Sequence, residues 1–203
     1  EADSEMVSAL SAILARYPNL TIVHGDIMRI DPVSLLPSPS GVPTRYKVVA
    51  NIPYYITSAV LRHFLGASRQ PTLMVVMVQK EVGKAIVAQP GDMSLLAISI
   101  QFYGKPSIVA RVPARSFYPA PKVDSVILRI DVHNKPPVDV PSARAFFETV
   151  RAGFSAPRKQ LRNSLAQGLA VGGQEAADLL QRAGIDAKRR AETLSIEEWG
   201  RLS

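Results

Sequence analysis

Residues 48–55 read Val48-Val49-Ala50-Asn51-Ile52-Pro53-Tyr54-Tyr55, an apolar strand ending in an amide, a proline and an aromatic pair. A buried strand closed by a proline turn accounts for such an octet. The spacing also has a chemical reading. An amide beside a proline-fixed backbone carbonyl offers two acceptors for an amino group. The ring of Tyr54 can then stack on whatever flat ring carries that amine. The octet by itself leaves both readings open.

Upstream of it, Glu1-Ala2-Asp3 precedes an amphipathic helix pattern with Met6, Leu10, Ile13 and Leu14 on one side and Ser4 as N-cap. Leu20 to His24 predicts a strand closed by Gly25-Asp26, so the chain is expected to start at a strand tip. In a doubly wound sheet, a carboxylate at such a tip receives ribose hydroxyls, although a terminal acid like Glu1 is otherwise simply solvated. Residues 32–45, rich in Pro, Ser and Gly, predict a surface connection.

Downstream, Tyr46 to Asn51 predicts a strand and Thr57 to Leu65 a helix capped by Thr57 or Ser58. Thr72 to Gln79 is a continuous β-rich apolar run, as expected of a strand covered on both faces. Helices are predicted over Lys80–Val87 and Ser94–Phe102, separated by Gln89-Pro90-Gly91-Asp92. Ser107–Val112 and Val123–Val132 predict two strands joined by the Pro-rich segment Pro113–Pro121. After His133 the character changes. Residues 134–141 form a Pro-rich linker, and four helical stretches follow: Ser142–Phe154, Arg158–Gln167, Gln174–Ala183 and Ser195–Leu202. The expected organisation is an α/β domain over 1–133, a linker over 134–141 and a small helical domain over 142–203.

Composition narrows the function classes. The 203 residues contain no cysteine, which excludes disulfides and thiolate metal sites. His24, His63 and His133 show no metal-ligand spacing, so no metal is expected. No apolar run is long enough to span a bilayer, and the acidic start does not resemble a signal peptide. A cytoplasmic monomer with no membrane contact is the expectation. The net charge of +7 suits a polyanionic partner. The excess is local: Arg144, Arg151, Arg158, Lys159 and Arg162 face only one acid, Glu148, between Pro141 and Asn163.

Asn51-Ile52-Pro53-Tyr54 resembles the (N/D/S)-x-P-(Y/F/W) motif of S-adenosylmethionine-dependent methyltransferases that modify the exocyclic amine of a base. Further landmarks keep it company: Glu1-x-Asp3, Gly25-Asp26, Gln79-Lys80-Glu81-Val82 and Phe117-Tyr118-Pro119-Ala120-Pro121-Lys122-Val123-Asp124-Ser125. Arg158-Lys159-Gln160-Leu161-Arg162-Asn163-Ser164-Leu165, Gly184-Ile185-Asp186 and Arg190-Ala191-Glu192-Thr193-Leu194-Ser195 complete the set. In this order and spacing the chain resembles the bacterial small-subunit ribosomal RNA adenine dimethyltransferases of the KsgA type. The resemblance implies a Rossmann-like class I methyltransferase sheet with a small C-terminal all-helical domain. The family's first strand and G-x-G-x-G loop have no counterpart here, so an N-terminally trimmed enzyme that binds cofactor poorly is expected. A second departure is Leu95-Leu96-Ala97, where the family has a Tyr-Gly step.

The resemblance also implies roles. Glu1 would accept from the ribose of S-adenosylmethionine, Asp26, with the Ile27 backbone beside it, would bind its adenine, and Asn51 would also contact the cofactor. Asn51 and the Pro53 carbonyl would hold the target amine. Tyr54 and Phe117 would stack on the target base, although Phe117 could equally plug its Pro-rich turn. Arg144, Arg151, Arg158, Lys159 and Arg162 would grip RNA phosphates, with Arg158 and Arg162 at i, i+4 on one helix face and Leu161 turned inward. Lys188, Arg189 and Arg190 could add to them, while Lys122 and Asp124 would fix the turn into the last strand. The expected substrate is small-subunit rRNA in the immature small subunit, methylated at N6 of two adjacent adenines near its 3′ end. The alternatives are a large-subunit rRNA dimethylase of the antibiotic-resistance type, a DNA adenine methylase and a non-catalytic ribosome assembly factor.

Overall fold

A computed structural model describes residues 1–36 and 45–203. Its sheet has four strands, β1 (Lys47–Asn51), β2 (Leu73–Gln79), β3 (Gly104–Val112) and β4 (Ser125–Val132), in the order β1-β2-β4-β3. β1 and β2 are parallel, with Asn51 opposite Met77, and β4 runs antiparallel to both of its neighbours. The α/β expectation holds. The strands begin and end within a few residues of the predicted limits. β3 starts earlier, at Gly104, and takes in Pro106; an edge strand tolerates a residue without an N–H.

Parallel strands need a crossover, and α2 (Thr57–Leu65) supplies it. Its Val60, Leu61, Phe64 and Leu65 are buried against Val48, Met74, Val76, Val78, Val126, Leu128 and Ile130 of the sheet. Ile86 of α3 (Lys80–Ile86) and Ile100 of α4 (Leu95–Gln101) close the same core. Only one face of the sheet is sealed in this way. β2 alternates buried and part-exposed residues along its length, contrary to the expectation of cover on both faces, and Val49 in β1 is 81% exposed.

α4 has a second side. Ala97 and Ile98, with Phe102 just beyond its end, join a helical core built by α5 (Ala143–Gly153), α6 (Leu161–Leu169), α7 (Gly173–Arg182) and α8 (Ile196–Leu202). The rings of Phe102 and Phe146 stack with centroids 4.4 Å apart. Trp199 is fully buried, and a Cβ at residue 153 would lie 2.3 Å from its ring, so glycine is required there. α8 opens with a capping box: Ser195 Oγ accepts from the Glu198 N–H, and the Glu198 carboxylate accepts from the Ser195 N–H. Gly184, at φ +69°, ends α7 by turning the chain left-handed.

Four local expectations are corrected. α1 (Ser4–Leu14) is capped by Asp3, whose Oδ1 accepts from the Met6 N–H at 2.9 Å, and it buries none of its residues. Leu20–His24 is not a strand. It makes one parallel rung, in which the Glu1 N donates to Val23 O at 3.0 Å and the Gly25 N–H to Glu1 O at 2.8 Å; a strand needs a partner along its length. α2 has no side-chain cap, because the 3₁₀ turn Tyr54–Ile56 leads directly into it. α6 begins at Leu161, which leaves Arg158 and Lys159 in the preceding turn. Of the connection over 32–45, Pro32–Leu35 is a 3₁₀ turn, and positions 37–44 lie outside the described residues.

The one-sided sheet makes a direct prediction. Leu128→Ala, at a fully buried site, should lower unfolding stability by about 2–5 kcal/mol, whereas Val49→Ala should stay within about 0.5 kcal/mol in urea titrations.

Candidate active site

Asn51 ends β1 at the carboxyl rim of the parallel pair, the edge where open α/β sheets bind ligands. Ile52 points inward and is buried, which anchors the chain as it leaves the strand. Proline then holds φ at −54°, and the 3₁₀ turn Tyr54–Ile56 carries the backbone into α2. Asn51, Ile52, Pro53 and Tyr54 form one wall of an open cleft of about 290 Å3, with Phe117, Pro119 and Pro121 completing its lining. The octet is therefore a strand with a proline turn and also the wall of a cavity. Larger hollows, such as the one bounded by Arg45, Tyr46, Lys47 and Thr72, lie at the opposite end of β1 and lack this pairing of amide and aromatics.

The Pro53 carbonyl already accepts the Ile56 N–H at 3.1 Å, so one of its two lone pairs is spent on the turn. Tyr54 is half-buried, and its hydroxyl lies 2.7 Å from Ser125 Oγ, across 71 positions of sequence. Ser125 is fully buried as the first residue of β4, paired with both Gln79 and Val112.

Phe117 arrives on the β3–β4 connection. Ala114–Ser116 forms a 3₁₀ turn, closed by the Ser116 N–H on Pro113 O (2.9 Å) and the Phe117 N–H on Ala114 O (3.2 Å). The Asp124 carboxylate pins that turn by accepting from the Ala114 N–H at 3.0 Å and pairing with Arg111. Its backbone carbonyl accepts from the Lys80 N–H at 3.0 Å. Tyr55 and Tyr118, beside the two cleft aromatics, are almost fully exposed.

Three comparisons with known proteins bear on the chain as a whole. A family model described as ribosomal RNA adenine dimethylase matches residues 1–203. The chain belongs to that family. It is 52% identical over 202 residues to ribosomal RNA small subunit methyltransferase A of Dehalococcoides mccartyi strain 195, covering all of this chain and 68% of that relative. The corresponding protein of Moorella thermoacetica is 39% identical over 209 residues, and 72% of it is covered. Among solved structures, a dimethyladenosine transferase from Plasmodium falciparum superposes with a TM-score of 0.78 at 22% identity. The 23S rRNA methyltransferase ErmE superposes at 0.72 and 24%. Each aligns along all of this chain and 78% of its own; at such identities they establish the Rossmann-like fold alone.

The structure gathers Asn51, Pro53, Tyr54 and Phe117 at one cleft in this dimethylase-family chain, and leaves Glu1, Asp26 and Ile27 outside its lining. Glu1 Oε1 accepts from the Ala2 and Asp3 N–H groups, which lower its carboxyl pKa. Asp26 Oδ1 accepts from the Met28 N–H at 2.9 Å, and Arg29 approaches its other oxygen at 3.7 Å. Ile27 packs against the sheet core, and the carbonyl of Ile30 lies 2.9 Å from His63 Nε2, which ties this segment to α2. No group of three His, Asp or Glu side chains suited to a metal occurs among the described residues. No described helix is long and apolar enough to cross a membrane.

The basic residues divide. Arg144 pairs with Glu148 at 2.8 Å on α5, and Arg151 lines a hollow with Arg62, Tyr103 and Phe147. Arg158 and Lys159 project from the turn and Arg162 from the first turn of α6; all three are exposed, while Leu161 is buried as expected. Because Arg158 precedes the helix, it does not share a helical face with Arg162. Arg189 is not a free cation either: it donates to Glu198 and to Thr193, inside the helical unit. Sequence reasoning assigns no role to Ser125, Arg111 or the exposed tyrosines. Only the Asp124-Ser125 step beside the Pro-rich turn hints at the first of them.

Arg111 and the Ala114 N–H hold the Asp124 carboxyl below its usual range. A carboxylate whose pKa falls on folding contributes fully above its unfolded value, near 4, and loses that contribution as pH drops through the lower folded value. The Phe117 turn should therefore loosen below about pH 4. Fluorine NMR of fluorophenylalanine-labelled protein should show the change, and Asp124→Asn should remove its pH dependence.

Proposed function

We propose that this chain carries the methyl-transfer site of an enzyme that dimethylates N6 of two adjacent adenines near the 3′ end of small-subunit rRNA, within the immature small subunit, during ribosome biogenesis. The observation that carries the reading is the rim cleft, which Asn51, Pro53, Tyr54 and Phe117 line together. Adenine's amine is a weak nucleophile because its lone pair is delocalised into the ring. Two oxygen acceptors at its hydrogens, from Asn51 and the spare lone pair of Pro53, favour a pyramidal nitrogen and aim that lone pair. Most of the rate then comes from positioning. No general base is needed, since the proton becomes acidic once the nitrogen is alkylated. An adenine has to leave its stack to enter between two rings, which a single-stranded loop makes inexpensive.

S-adenosylmethionine, when bound, supplies an electrophilic methyl group on sulfur. The residues here suit its adenosine part: Glu1 and Asp26 are exposed carboxylates, and a single backbone rung ties Glu1 to Val23 and Gly25, the residue before Asp26. Glu1 would accept from ribose hydroxyls and Asp26 from the adenine amine, with Ile27 alongside. No G-x-G-x-G cluster occurs in the 203 residues to let backbone approach the methionine end. Calorimetric titration of this chain with S-adenosylmethionine should therefore give weak binding; tight binding would show that the chain holds the methionine end by other groups.

In the full-length protein, Asn51→Ala should cut labelled-methyl incorporation into immature small subunits by about 100-fold, because the amine loses an aligning acceptor. Equal incorporation by variant and wild type would overturn the catalytic reading and favour an RNA-binding assembly role. Arg158, Lys159 and Arg162, with Arg144 and Arg151, supply the phosphate contacts. Arg158→Ala with Arg162→Ala should weaken RNA binding and reduce the magnitude of its salt slope by roughly one for each phosphate left without its arginine.

A further inference from the structure

We propose that Ser125 is a positioning residue for the target base, acting through the hydroxyl of Tyr54; the proposal rests on the base-stacking reading of the cleft. A tyrosine stacks through its ring, and the hydroxyl is not needed for that contact. Here the hydroxyl is spent on Ser125 Oγ at 2.7 Å. Ser125 is well placed to hold it still. It is completely buried, it opens the central strand β4, and it is paired on both sides, with Gln79 of β2 and Val112 of β3. Its neighbour Asp124 pins the turn that carries Phe117 and accepts from the Lys80 N–H at the start of α3. Two consecutive residues thus connect both aromatic walls of the cleft to one rigid strand.

A ring anchored at its far end rocks over a narrower range of χ angles, since leaving the anchored position breaks a hydrogen bond. The plane of Tyr54 sets the plane of a base stacked on it, and hence where the exocyclic nitrogen meets Asn51 and Pro53. Without the anchor the base still enters and stacks, but over a wider range of orientations. The loss should therefore fall on turnover rather than on substrate capture.

The test is a double-mutant cycle of Tyr54→Phe and Ser125→Ala with two readouts. The first uses this chain, without cofactor, and a single-stranded RNA oligonucleotide with 8-vinyladenine, a fluorescent base that keeps the 6-amino group, at the target adenine. Each single variant should quench that base less than wild type and by the same amount, with no further loss in the double variant. The second uses the full-length enzyme: each variant should lower kcat about 10-fold with KM changed less than about 3-fold, again without additivity, and Ser125→Thr should restore much of kcat. Thermal unfolding of Tyr54→Phe, which removes one oxygen from a half-buried ring, serves as the folding control. Unchanged quenching and kcat in the single variants, or losses that multiply in the double variant, would overturn the role of Ser125. Absence of quenching by the wild-type chain would overturn the base-stacking reading and this inference with it.

Discussion

The site depends on how β1 stops. A parallel strand pair leaves its carboxyl ends on one rim, and the chain must turn there to enter the crossover helix. In this protein Ile52 is driven into the core while Asn51 and Pro53, on either side of it, stay exposed. Burial of one side chain therefore directs its two neighbours outward, and the missing N–H of Pro53 keeps the strand from continuing. A 3₁₀ turn takes up the next three residues, so no side-chain cap is needed at α2 and Tyr54 is left lining the cleft. The geometry of the cleft is a by-product of ending a strand within a few residues.

The opposite wall is built by different means. The β3–β4 connection is held by polar contacts that converge on Asp124, while the adjacent Ser125 meets the Tyr54 hydroxyl of the other wall. Ser125 begins β4 between β2 and β3 and Asp124 directly precedes it, so the ladder on both sides holds the backbone from which they project. The two walls consequently share a reference frame although 66 positions separate Asn51 from Phe117.

The helical unit is joined to this frame through α4, which gives Ile100 to the sheet core and Ala97, Ile98 and Phe102 to the helical core. Gly91 and Met93 both donate backbone N–H groups to Glu192 O, at 2.9 and 3.1 Å, and reinforce the junction. The basic turn before α6 is in turn fastened by Ser164, buried and donating to Ala156 O at 2.9 Å. Arg158 and Lys159 thus project from a braced turn, and their charges are left to face solvent or a polyanion.

Much of this was legible in the amino-acid order, because it depends on local spacing. The apolar run of β2, the helical stretches set off by Pro and Gly after residue 141, and the amide-proline-aromatic step at Asn51 are each readable locally, although the one-sided burial of β2 is not. The ordered landmarks also determined the family. What the tertiary structure decided are the long-range choices. A strand exists only where another lies beside it, so Leu20–His24, apolar and β-rich, makes a single rung. A basic residue is free only if no acid folds next to it, so Arg189 is spent on Glu198 while Arg162 stays exposed. A serine hydroxyl carries no pattern at all. That Ser125 meets Tyr54 follows from the register of β4 against β2, which is set by the burial of Val126, Leu128 and Ile130 on one face.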